Sequence, residues 1–238
     1  GGYSWSNISG NKSQHTKGVY DYWIVKIDSS GNIQWDKDFG GSSGDNLTSI
    51  IQTSDGSFML MGYSYSNAGG DKTDDTWGWA TTDIWIIKTD SLGNKEWDKN
   101  FGGTYYERDY GNIYQTLDKG YIMACSSESN AGGDKTEDNL GNAQTWIVKI
   151  DSLGNKQWDK TLKTNSNFPP EPGLVIQLSD GCYVVANYTR GGIGGDKSQP
   201  SQGDNDLWII KLCQCAVASP PITAFLSSDT TLCLNQCI

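Results

Sequence analysis

Asp83-Ile-Trp-Ile-Ile-Lys88 is the stretch on which the fold turns, because the chain carries it four times. Its counterparts are Asp21-Tyr-Trp-Ile-Val-Lys26, Gln144-Thr-Trp-Ile-Val-Lys149 and Asp206-Leu-Trp-Ile-Ile-Lys211. Trp23, Trp85, Trp146 and Trp208 therefore recur every 61 or 62 residues. Two further series keep this period. One is Gln34-Trp-Asp-Lys37, Glu96-Trp-Asp-Lys99 and Gln157-Trp-Asp-Lys160. The other is the loop Gly10-Asn-Lys12, Gly70-Asp-Lys72, Gly133-Asp-Lys135 and Gly195-Asp-Lys197. Three series at one period establish a repeat architecture.

One unit reads as four strands. Residues 47–53 form a β-prone run, and Ser54-Asp-Gly56 is a hairpin signal. Residues 57–65 are apolar and aromatic, and a polar loop with Gly-Asp-Lys follows. Residues 83–90 are the Trp strand, Ser91-Leu-Gly-Asn94 is a turn, and residues 95–100 are the last strand. In the Trp strand, Trp85, Ile87 and Thr89 share one face, and Ile84, Ile86 and Lys88 the other. Apolar on most of both faces, such a strand belongs to a sheet held between neighbours. The expected fold is all-β, a β-propeller of four-stranded blades. An open stack of sheets, a β-solenoid, shares the same repeats without closing a ring.

The register divides residues 1–212 into propeller repeats. Residues 1–39 are a partial blade lacking its first strand, 40–101 and 102–162 are complete, and 163–212 lack the last strand. Further blades outside these residues are favoured over closure with four. From 213 to 238 a Cys-containing linker leads into what reads as the start of a second β-domain.

Composition agrees with many short strands. The 238 residues include 29 Gly, and their 10 Trp, 12 Tyr and 5 Phe are too many buried-type side chains for a disordered chain. A net charge of -10 would repel a phosphate backbone, which excludes nucleic acid as a partner. No stretch is long and apolar enough for a helical membrane span.

The string D-x-W-I-[VI]-K-x-D-S-x-G-N-x-x-W-D, then F-G-G, then [IV]-x-Q-[TL]-x-[DK]-G, resembles the propeller repeats of large secreted Bacteroidota proteins, kin to SBBP-type and PQQ-like repeats. The tail, with Ser228-Asp-Thr-Thr-Leu-Cys233 and Cys237, is similar to the start of a PKD or Ig-like domain. The resemblance implies an extracellular or cell-surface multidomain protein, often exported by the type IX system. It also implies O-glycosylation at Asp-Ser/Thr motifs, which places candidate glycans on Ser91, Ser152 and Thr230. In an exported protein, Cys213, Cys215, Cys233 and Cys237 form two disulfides, with three connectivities open and cross-pairing of the first two with the last two preferred. Cys125 and Cys182 lie in strands and read as buried free thiols.

Candidate chemistry is sparse. The loops 66–75 and 129–138 concentrate oxygen donors, so Asp71, Asp74, Asp75, Asp134, Glu137 and Asp138 are possible Ca²⁺ ligands. A Gly-Gly turn capped by Asp explains the same residues and is favoured. The only His, His15, lies in a polar loop without a repeat counterpart, so no triad or His-metal cluster assembles. Asp36, Asp98 and Asp159 recur at the repeat period, as a structural role does and a catalytic one does not. No cofactor motif is present. Trp77 and Trp79 stand in the loop of one unit only and suit sugar stacking or a protein contact. The leading expectation is a non-enzymatic structural or adhesive module, within a polymer or fibre, whose partners are its own copies, other surface proteins or glycans. A carbohydrate-binding module using Trp77 and Trp79 is the alternative, and a hydrolase ranks last.

Overall fold

The computed structural model describes residues 1–166, 173–214 and 231–234. Among them there is no helix; the elements are fifteen strands in four sheets. The first sheet runs β1 (Gly2–Ser4), β2 (Asp21–Ile27), β3 (Ile33–Phe39). The second runs β4 (Asp45–Gln52), β5 (Phe58–Ser64), β6 (Asp83–Thr89), β7 (Lys95–Phe101). The third runs β8 (Glu107–Gln115), β9 (Tyr121–Ser127), β10 (Gln144–Ile150), β11 (Lys156–Leu162). The fourth runs β12 (Leu174–Gln177), β13 (Tyr183–Thr189), β14 (Asp206–Gln214), β15 (Thr231–Leu234). Each is a meander of antiparallel neighbours, with one exception. β15 joins β14 in parallel, on the edge that β3, β7 and β11 fill in the other sheets.

The core is three apolar layers, each between two successive sheets. Tyr22, Ile24 and Phe39 of the first sheet meet Leu47, Leu60, Trp85 and Ile87 of the second. Met59, Met61, Ile84 and Ile86 of the second meet Met123, Trp146, Val148 and Ile150 of the third. Ile122, Ala124, Ile147 and Leu162 of the third meet Val175, Val185, Trp208 and Ile210 of the fourth. β6 thus divides its side chains by period two, with Trp85 and Ile87 facing back and Ile84 and Ile86 facing forward. All seven of its residues are buried, as the sequence pattern demands of a strand covered on both faces.

Two cysteine expectations are corrected. Cys182 is joined to Cys213 by a disulfide, so it is not a free thiol and Cys213 does not pair with the tail. The reason is register. Tyr183 faces Leu212 across β13 and β14, which sets Cys182 opposite Cys213 with Cα atoms 4.4 Å apart, within the span a disulfide bridges. Cys125 is free and buried. Cys215, Cys237 and Thr230 lie outside the described residues, as does most of the expected second domain. Cys233 lies in β15, whose backbone alone is described, with its Cα paired to that of Cys213.

Candidate functional site

The repeated residues meet in one polar knot per sheet. In the second unit, Asp98 Oδ2 accepts the Trp85 indole N–H at 2.9 Å and the backbone N–H of Thr73 at 2.9 Å. Thr73 directly follows the Gly-Asp-Lys loop, so one carboxylate ties the three sequence series together. Asp159 does the same for Trp146 and Thr136, and Asp36 for Trp23 and Ser13. In the two complete units a lysine adds charge, with Lys95 on Asp98 Oδ1 at 2.8 Å and Lys156 on Asp159 Oδ1 at 2.9 Å. The Asp159 carboxyl is held below its ordinary range by the Trp146, Thr136 and Lys156 donors, which outweigh the opposing effect of burial. Trp-Asp-Lys lies inside the last strand, which lets the Asp side chain reach across to the Trp of the neighbouring strand.

Asp98→Ala should therefore destabilise the chain by about 2–3 kcal/mol, because it leaves a buried indole N–H and a backbone N–H without an acceptor. Urea unfolding followed by Trp fluorescence measures it, and a loss below about 0.5 kcal/mol would show the knot to be dispensable.

The loop lysines are buried by design of the same unit. Lys12, Lys72, Lys135 and Lys197 are 3–4% exposed. Each donates to the carbonyl two residues on, at Gln14, Asp74, Glu137 and Gln199. Burial pushes the Lys135 ammonium down to about 8, although Glu107, Asp159 and Glu137 pull the other way.

The six acids named as possible Ca²⁺ ligands are placed as follows. Asp71 Oδ2 accepts Gly40 N–H and pairs with Lys17 at 2.9 Å. Asp134 Oδ2 accepts Gly102 N–H at 3.1 Å. Asp75 and Asp138 each cap their own loop through Ala68 and Ala131 N–H. Glu137 takes Lys160 and the N–H of Thr161, and Asp74 is exposed and engages its loop lysine through its backbone. Among the described residues no three His, Cys, Asp or Glu side chains are placed to hold a metal ion. Backbone N–H or ammonium groups bond the carboxylates of Asp71, Asp75, Asp134, Glu137 and Asp138.

Asp71 and Asp134 instead clasp one sheet to the next. The backbone N–H of Asp71 donates to Gly40 O while its carboxylate accepts from Gly40 N–H. Asp134 repeats this reciprocal pair on Gly102, and Asp196 on Lys163. The first unit has Asn11 at this loop position.

The two loop tryptophans separate in role. Trp77 donates its indole N–H to Asp134 Oδ2 at 2.8 Å and lies over Gly133, where a Cβ would come within 3.0 Å of the ring. Gly133 also has φ +60°, so the position demands glycine twice over. Trp77 thus strengthens a clasp between sheets. Trp79 is 95% exposed. The turn residues Ser91 and Ser152 are exposed too, each following an aspartate that bonds two backbone N–H groups and an Asn side chain ahead of it. His15 is exposed.

Sequence reading missed Asp45 and Glu107, which open β4 and β8 and are fully buried. Glu107 accepts from Gly103 N–H at 2.9 Å and Ser127 Oγ at 2.7 Å. Burial pushes its carboxyl up to about 7, and that of Asp45 up to about 6. The differing acids and the missing copies hid this position from a period search. Because the folded-state pKa is raised, the native chain holds the proton longer than the unfolded one. Stability therefore falls as pH rises from about 4.5 to about 7, and the full cost is present above that window. Glu107→Gln keeps an acceptor for Gly103 and removes the charge. It should raise stability at pH 8 by up to roughly 3 kcal/mol relative to its effect at pH 4. Denaturation at the two pH values reads it directly, and an equal effect at both would refute the raised pKa.

These features define a class, an all-β protein of stacked antiparallel sheets whose repeated polar residues join strand to loop and sheet to sheet. Neither a scan of protein-family models nor a search of the curated proteins finds a match.

Proposed function

We propose that the four sheets are blades of a β-propeller, of the kind the repeats of secreted Bacteroidota proteins resemble, and that the chain is a non-enzymatic structural or adhesive module at a cell surface or outside the cell. The observation that carries this reading is the repeated Trp–Asp–backbone knot. Three units join the same carboxylate, indole and loop N–H, with the carboxylate and indole buried in the two complete units, and the repeated loop acids Asp71, Asp134 and Asp196 are engaged in clasps. Fixed geometry presented over several units suits a spacer or scaffold. The loops and the glycan-acceptor turns at Ser91 and Ser152 face outward on it.

The carbohydrate-binding alternative rests on Trp79, since Trp77 is engaged by Asp134. A glycan array together with electron microscopy of the native material decides between them. Rigid, regular particles or fibres and no array signal support the scaffold. Array binding abolished by Trp79→Ala overturns it in favour of a lectin-like module.

A further inference from the structure

The first unit departs from the second at one buried pair. Asp83, which opens β6, accepts the backbone N–H of Trp77 at 2.8 Å and a side-chain N–H of Asn100, the residue after Trp-Asp-Lys. Its counterpart Asp21, which opens β2, accepts the backbone N–H groups of Lys17 at 2.6 Å and Gly18 at 3.2 Å. At the position of Asn100 the first unit has Asp38, and the third has Thr161. The Asp38 side chain bonds that of Asp21. Asp21 is 0% and Asp38 3% exposed. A Cβ on Gly40 would fall within 2.1 Å of Asp21 Cγ, so the backbone that follows Asp38 leaves Asp21 no room to turn away. Two ionised carboxylates are acceptors only, so one of the pair must carry a proton to bond the other. Both Asp21 oxygens already accept backbone N–H groups, which makes Asp21 the acceptor and leaves the proton on Asp38.

We infer that Asp38 holds a proton in the folded chain and donates it to Asp21, as Asn100 donates to Asp83, and that this makes the junction of the first and second sheets sensitive to pH. The charged groups around the pair come from each element packed on it. Lys12 pairs with Asp38, in the place where Lys135 meets Thr161. Lys17 stands 3.7 Å from Asp38 Oδ1 and 2.9 Å from Asp71 of the second unit. Asp36, two residues before Asp38 in β3, is engaged by Trp23 and Ser13. Asp45 opens β4, and the charge of Asp21 adds to the burial that raises its carboxyl. Burial pushes the Asp38 carboxyl up to about 7, and the bond to Asp21 adds to this against the pull of Lys12. The native chain therefore keeps a proton that the unfolded chain releases near its ordinary value of 3.8. Stability falls as pH rises from there to about 7, and the full cost is present above that window. The cost falls on the clasp. Lys17 Nζ donates to Asp38 O at 3.0 Å while pairing with Asp71, and Asp71 bonds both the N–H and the carbonyl of Gly40. Ionisation of Asp38 sets a second carboxylate beside Asp21 and draws Lys17 away from Asp71.

The test uses the full chain. Nuclear magnetic resonance of aspartate Cγ reads the proton directly, with the Asp38 signal assigned by its loss in Asp38→Asn. Asp38 should be protonated at pH 5, where an ordinary aspartate is ionised, and should titrate near neutrality. An Asp38 already ionised at pH 5 would overturn the inference. Urea unfolding at pH 5 and pH 8 reads the consequence. Asp38→Asn keeps the donor at both values, so its folding equilibrium constant relative to the unaltered chain should rise by roughly tenfold or more between them. Asn100→Asp builds the same pair in the second unit, and its relative equilibrium constant should fall by a similar factor over the same interval. Asp45 and Glu107 titrate in all three chains and cancel from these ratios. Ratios that stay constant between the two pH values would mean that the pair shares no proton. Failure of Asp38→Asn to fold would mean the same, because the amide reproduces the donor that a protonated Asp38 supplies.

Discussion

Trp146→Ala is expected to lower the unfolding free energy by about 4 kcal/mol. The indole is fully buried in the layer between the second and third sheets, among Met59, Ile84, Met123 and Val148. Truncation removes that apolar surface from the layer and leaves a cavity that two four-stranded sheets cannot close. It also strips Asp159 of its indole donor, so a buried carboxylate loses a partner. Trp146→Phe separates the two causes, because it keeps most of the ring and removes only the N–H; it should cost about 1–2 kcal/mol. Trp23→Ala is the control. The same residue of the repeat is half-buried there and should lose about half as much. Urea titrations of the three variants give the order directly. Equal losses at Trp23 and Trp146 would mean that the layer between sheets adds nothing to the site.

Breaking the Cys182–Cys213 bridge should cost about 3 kcal/mol, concentrated in the fourth sheet. The bond closes a segment with a sequence separation of 31, and loop closure of that length restricts the unfolded chain by this order. Cys182 sits in the turn before β13 and Cys213 near the end of β14, so the bridge pins the pairing of β13 on β14. Cys182→Ser with Cys213→Ser, compared with the unaltered chain by hydrogen exchange, should raise exchange in β12 to β14 and leave β5 to β7 unchanged. If the second sheet loosened equally, the four sheets would form one cooperative unit. If exchange did not change, the bridge would be irrelevant to stability. Reduction of the unaltered chain should reproduce the double variant.

Much of this was legible because the repeat is legible. Asp83-Ile-Trp-Ile-Ile-Lys88 states by its alternation that both faces of β6 are covered, and the structure covers both. The turns were legible as well, since Asp90 and Asn94 bond each other across a four-residue loop that nothing distant disturbs. The sheet-to-sheet role of the loop acids is something that spacing cannot show. Asp71 and Asp134 reach the end of the preceding sheet, about thirty residues back in the chain, and find N–H groups there. The disulfide was misread because the clustering of four cysteines near the tail suggested pairing among them, whereas the register of β13 on β14 brings Cys182 to Cys213. Glu107 was missed because its role follows from burial, and nothing in its neighbours announces that.

By itself the sequence determined the period, the strands, the two-faced character of each Trp strand and the all-β class, because these depend on side-chain alternation and turn chemistry within a few residues. Only the tertiary structure decided which carboxylates are clasps, which loop tryptophan is exposed and which cysteines are joined. Those outcomes depend on strand register and on what one sheet presents to the next, and such contacts join residues about thirty to sixty apart.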